Sequence, residues 1–140
     1  MNTKIILAAI VGSILYFLLG WLIYGFLLMD FFAENTKQYE GLMYDMPNLL
    51  ILFLSNLSLT YLLSFIFQKW ANINTISKGF SAGFFFGLFL SISIDLMFYA
   101  GMDLYTPTLV IVDVFANSII IAVVGGSIGW ILGFEKKTED

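Results

Sequence analysis

Four stretches of this chain, Ile5 to Met29, Pro47 to Phe67, Gly79 to Gly101 and Thr108 to Gly133, run for the length of a membrane crossing with almost no charge. A hydrocarbon core of about 30 Å takes roughly 20 helical residues to cross. The expected fold class is therefore all-α, a transmembrane up-down four-helix bundle forming one integral membrane domain over residues 1–140, with the lipid bilayer as its surroundings. Composition agrees, since 60% of the residues are hydrophobic and 11% charged, against about 25% charged in an ordinary soluble domain. In water such a chain would leave large apolar patches exposed. The first stretch reads as a retained signal anchor, because it outruns the roughly 7–15 apolar residues of a cleavable signal and no small-x-small site ends it.

Several kinds of chemistry drop out. There is no cysteine and no histidine, which excludes a disulfide scaffold and the usual zinc, haem and histidine-base sites. No cofactor is expected. Six basic residues, all lysine, face ten acids, which argues against nucleic acid as a partner.

The lysines also predict sidedness, because positive charge is retained in the cytoplasm. Lys4, Lys69, Lys78, Lys136 and Lys137 fall on one side of a four-span arrangement and Lys37 alone on the other. Both termini are thus expected in the cytoplasm, with the protein in the cell (inner) membrane. Asp30, Glu34, Glu40, Asp45 and Asp103 line the outer side, either simply solvated or acting as a funnel that enriches cations. Trp21, Tyr24, Tyr44, Tyr99 and Tyr105 lie near the outer boundary, and Trp70 and Trp130 near the inner one, as interfacial belts do. The segment Asp30 to Met46 mixes charge with Phe31, Phe32, Tyr39, Leu42 and Tyr44, and is expected along the outer interface as a short amphipathic helix. The short turn Met102 to Pro107 makes spans three and four antiparallel neighbours.

Small and polar residues recur every fourth position inside the spans. Gly79, Gly83, Gly87, Ser91 and Asp95 form one such ridge; Asp113, Asn117, Ile121, Gly125, Gly129 and Gly133 form another. Antiparallel pairing brings Asp95 to the depth of Asp113, Ser91 to that of Asn117, and Gly83 to that of Gly125. Glycine at this spacing lets membrane helices approach closely, so these glycines read first as packing positions. Asn48, Asn56, Thr60, Ser64 and Gln68 repeat the pattern in span two, as do Gly12, Tyr16 and Gly20 in span one.

Asp95 and Asp113 need a different explanation, because an ionised carboxylate is costly inside a span and no lysine lies at that depth. They face a water-filled outer vestibule, bind a cation, or hold a proton; two carboxylates at one site titrate as a pair. With Asn117, Ser91 and Asn56 as neutral oxygen donors they form a candidate cation or proton site, of the kind hard cations prefer. The competing reading is local hydrogen bonding near the interface, with Asp113 favoured by its helix N-terminus.

In the last span, Val112-Asp113-Val114-Phe115-Ala116-Asn117 followed by Gly125-Gly126-Ser127-Ile128-Gly129 resembles the closing helix of an uncharacterised family of small bacterial four-helix membrane proteins, in which an aspartate opens the last span. Gly20-Trp21 and Tyr24-Gly25 are similar to that family's aromatic-glycine signature, with Phe31 and Phe32 where a second tryptophan is expected. The resemblance implies a bacterial four-span membrane protein and no particular activity. Three function classes follow from the residues. The first is a non-enzymatic module that packs against a membrane partner or forms a homo-oligomer. The second is a small cation- or proton-coupled channel or transporter using the carboxylate pair. The third, an enzyme acting on lipid, is disfavoured by the lack of Arg and His to hold phosphate.

Overall fold

A computed structural model describes residues 2–134, and these are helical with no strand among them. The helices are α1 (Thr3–Leu22), which runs on into a π-helical turn (Ile23–Leu27), then α2 (Met29–Asn35), α3 (Leu49–Lys69), α4 (Ile76–Gly101) and α5 (Pro107–Leu132). Four of them, counting α1 with its π turn, are long and apolar enough to cross a membrane. The short α2 lies within the segment expected to carry an interfacial helix.

Caps set the boundaries more sharply than hydropathy does. Asn2, Asn48, Thr75 and Thr106 each accept a backbone N–H of the first turn through their side chains, a contact worth about 1 kcal/mol. Asn48 therefore starts α3 at Leu49, two residues after Pro47. Thr75 starts α4 one turn before the apolar run, because hydropathy cannot see a polar first turn. Pro107 occupies the first position of α5, where a missing N–H costs nothing.

The long helices alternate in direction. Lys4 Nζ donates to the Phe134 carbonyl, Gly12 lies against Ile128 and the Tyr16 hydroxyl reaches Asn117, so α1 runs antiparallel to α5. Thr60 Oγ1 donates to the Ala9 carbonyl at 2.9 Å and Phe17 meets Phe53 edge-on, so α1 is antiparallel to α3 as well. The up-down order holds, and the four long helices pack unevenly. Helix α4 packs almost entirely on α5, α3 packs on α1, and α3 and α4 barely meet. Helix α5 is the shared centre: Ile120, Ile121, Val124 and Ile128 are fully buried against Ala8, Leu63 and Phe67. The reason lies in α4, whose buried residues are Gly79, Gly83, Gly87, Ser91 and Asp95 alone. One narrow ridge can grip one neighbour, and Phe80, Phe85 and Phe89 are left facing outward.

At one end, the terminal end, lie Lys4, Lys69 and Lys78 with residues 2 and 134; Lys136 and Lys137 are outside the described residues. At the other end the two loops are stitched together. Lys37 N donates to the Leu104 carbonyl at 2.8 Å and Thr106 N to that of Asn35 at 3.2 Å. Thr106 Oγ1 is 2.9 Å from Asn35 Oδ1, Tyr39 donates to the Asp103 carbonyl, and Lys37 pairs with Asp103.

Candidate functional site

The α4–α5 interface is a zipper with two halves. In the half nearer the terminal end, backbone meets backbone. A Cβ added at Gly79 would collide with the Gly125 carbonyl, one at Gly125 with the Gly79 carbonyl, one at Gly129 with that of Thr75, and one at Gly133 with that of Asn74. At Gly83 it would lie 2.5 Å from the Ile121 oxygen, and at Gly87 3.0 Å from Ile121 Cβ. All six ridge glycines therefore stand where only a hydrogen fits, and their close approach is taken up within the chain.

In the half nearer the clasped loops the same register brings polar side chains together. Asn117 Nδ2 donates to Ser91 Oγ at 2.7 Å, and the Tyr16 hydroxyl donates to Asn117 Oδ1 at 2.6 Å. One turn further on, the Asp95 and Asp113 carboxylates come together, and Tyr24 of the π turn lies near Asp113. Asp95 is buried, and no donor reaches its Oδ2. An unpartnered carboxylate oxygen beside a second carboxylate is the arrangement that proteins avoid unless something else occupies it.

The site is partly roofed, and Asp113 stays half-buried. Tyr105 lies over it: burial first, then the negative charges of Asp113 and Asp95, push its hydroxyl above the ordinary phenol value. Leu104 beside it is buried, and the Tyr24 ring packs edge-on against Phe32 of α2 at 5.2 Å. The stitched loops thus partly cover the pair from the loop end. Asp30, Glu34, Glu40, Asp45 and Asp103 stay on the exposed surface beyond that cover.

Asn56 is not brought to the aspartates. It is buried on α3 and lines a cleft of about 430 Å³ between α1 and α3, together with Tyr16, Phe17, Trp21, Tyr24 and Leu52. The ridge that holds it is spent on α1, through Thr60. The position that sequence spacing assigned to Asn56 is filled by Tyr16 and Tyr24. Their signal was present, since Gly12, Tyr16 and Gly20 share a four-residue register that Tyr24 completes. The π turn that holds Tyr24 has no such signal; π turns occur often at functional sites.

Among the described residues no third acidic, His or Cys side chain joins the pair. The ligand set is two carboxylates with phenol, amide and hydroxyl oxygens. That set suits a proton or a hard cation of low charge, since a divalent ion commonly gathers more carboxylate oxygen. Comparison with known protein families, with curated proteins and with solved structures finds no match for this chain.

Proposed function

We propose that this is a small membrane protein that binds a proton or a small cation at the Asp95–Asp113 pair and carries it as a channel or coupled transporter. The observation behind this reading is the meeting of two carboxylates inside the spans with one oxygen lacking any donor. A positive charge between them removes the repulsion, and the bonded Asn117–Ser91 pair lies one turn away. The positive-inside tendency of Lys4, Lys69 and Lys78 supports a cytoplasmic terminal end, which would turn the pair toward the outer side, beneath the loop clasp. Binding and release there pass the partial roof of Tyr105, Leu104 and Phe32.

The partner-binding reading has one observation in its favour. Helix α4 is covered by α5 alone, and its outward Phe80, Phe85 and Phe89 leave room for a second copy or another membrane protein. The glycine ridges do not support it, because each is occupied within the chain. Enclosing a pathway with four helices also favours a symmetric oligomer, so the two readings are compatible.

The test is flux in liposomes. Protein reconstituted in phosphatidylcholine vesicles is expected to collapse an imposed proton or sodium gradient faster than empty vesicles, and Asp95→Asn to abolish the excess. Flux equal to that of empty vesicles, or flux unaffected by Asp95→Asn and Asp113→Asn alike, overturns the proposal.

A further inference from the structure

The cleft between α1 and α3 shares two side chains with the acidic site. Tyr16 and Tyr24 line it, yet the Tyr16 hydroxyl is bonded to Asn117 on the far side and Tyr24 lies near Asp113. Each phenol therefore spans from the cleft to the carboxylate cluster. The remaining wall is Phe17, Trp21 and Leu52, with the Asn56 amide as its other polar group, and no charged side chain lines it. The cleft opens sideways: Trp21 is 72% exposed, on a helix whose outward face is apolar.

We propose that this cleft binds a lipophilic organic cation that enters from the bilayer, with its charge against the rings of Trp21, Tyr16 and Tyr24 and with Asp113 and Asp95 as counter-charge behind the phenols. Three observations select that chemistry over a neutral acyl chain. Four aromatic side chains converge on one cleft, and aromatic faces attract cations. Two carboxylates lie behind the phenols with no lysine at their depth, so an anion is repelled. The two tyrosines stand between the regions, so charge placed in the cleft is felt at the carboxylates behind them. A volume of about 430 Å³ is within the range of small-molecule sites, and the lateral mouth lets a bulkier ion project into lipid. The inference rests on reading the aspartate pair as a cation site, and it names the substrate class.

Tetraphenylphosphonium is the probe, and tetraphenylborate, of the same shape and opposite charge, is its control. Equilibrium dialysis against protein in phosphatidylcholine nanodiscs, corrected with empty discs, is expected to show one saturable phosphonium site. Borate should bind at least about tenfold more weakly, which corresponds to one decade in the dissociation constant. Trp21→Ala and Asp113→Asn should each weaken phosphonium by a similar factor, while Trp130→Ala, at the terminal end, leaves it unchanged. Should Asp113→Asn fail to fold, Tyr24→Phe reports the same link, with a smaller loss. No saturable binding above empty discs, or equal binding of both ions as expected of a simple acyl-chain groove, overturns the inference. So does binding indifferent to Trp21→Ala. Aspartate-dependent proton flux without a phosphonium site would overturn this inference alone, whereas absent flux would overturn the transport reading on which it rests.

Discussion

Replacing Gly83 by alanine adds one methyl group at a point in the α4–α5 zipper where backbone faces backbone. The new Cβ would sit 2.5 Å from the Ile121 carbonyl oxygen and 3.2 Å from the Cα atoms of Ala122 and Gly125. Ordinary contact begins near 3.4 Å, so α4 has to retreat by about 0.9 Å, and all three facing atoms are backbone that cannot turn aside. A gap of 0.5–1 Å forfeits about a quarter to a half of the dispersion energy of each facing pair, and overpacking strain adds about 1–3 kcal/mol. The expected loss is about 2–4 kcal/mol. Gly20→Ala is the matched control, because a Cβ there meets nothing within 4 Å; it should be neutral or stabilising by up to about 1 kcal/mol, as alanine is the better helix former. Reversible denaturation in mixed micelles, followed by circular dichroism, measures both. Equal stability of the two variants would refute the zipper, and with it the register that brings Asp95 to Asp113.

Tyr16→Phe removes the 2.6 Å donor to Asn117 Oδ1 and should cost about 1 kcal/mol in the same assay, since a half-buried acceptor loses its partner; an unchanged midpoint would place that hydroxyl in water. Tyr105 gives a pH signature. Its hydroxyl is raised in the folded protein by burial and by the two aspartates, so its contribution to stability is present below the ordinary phenol value near 10 and is lost as pH rises through the folded value. Wild type should therefore lose stability at alkaline pH more steeply than Tyr105→Phe, and parallel pH profiles would remove Tyr105 from the roof of the site.

The ridge spacing made much of this legible. A four-residue repeat of Gly79, Gly83, Gly87, Ser91 and Asp95 names the face of α4 that is buried, and an antiparallel turn then fixes which residue of α5 each one opposes. What spacing along single helices does not contain is the choice of partner between helices. Asn56 lies at a comparable depth, but the α3 ridge is claimed by α1 through Thr60, and tyrosines of α1 reach the aspartates instead. Tyr24 reads as an interfacial aromatic from its position near the end of a span; the π turn that carries it is a backbone event without a residue signature. The roof was hidden for a similar reason. Residues 35–37 and 104–106 pair through backbone groups, which any sequence supplies, so the loops look like separate solvated connections until they are seen together.

The central claim is that Asp95 and Asp113 act as one acid site rather than as two residues that share a depth. Infrared spectra of protein labelled with carbon-13 aspartate in nanodiscs, followed through a pH titration, test it most directly. A contacting pair titrates in two separated steps that belong to both groups, and substituting either aspartate by asparagine should collapse the two steps into one. If each carboxyl instead titrates by itself, and its midpoint does not move when the other is replaced, the two do not meet and the site proposed here does not exist.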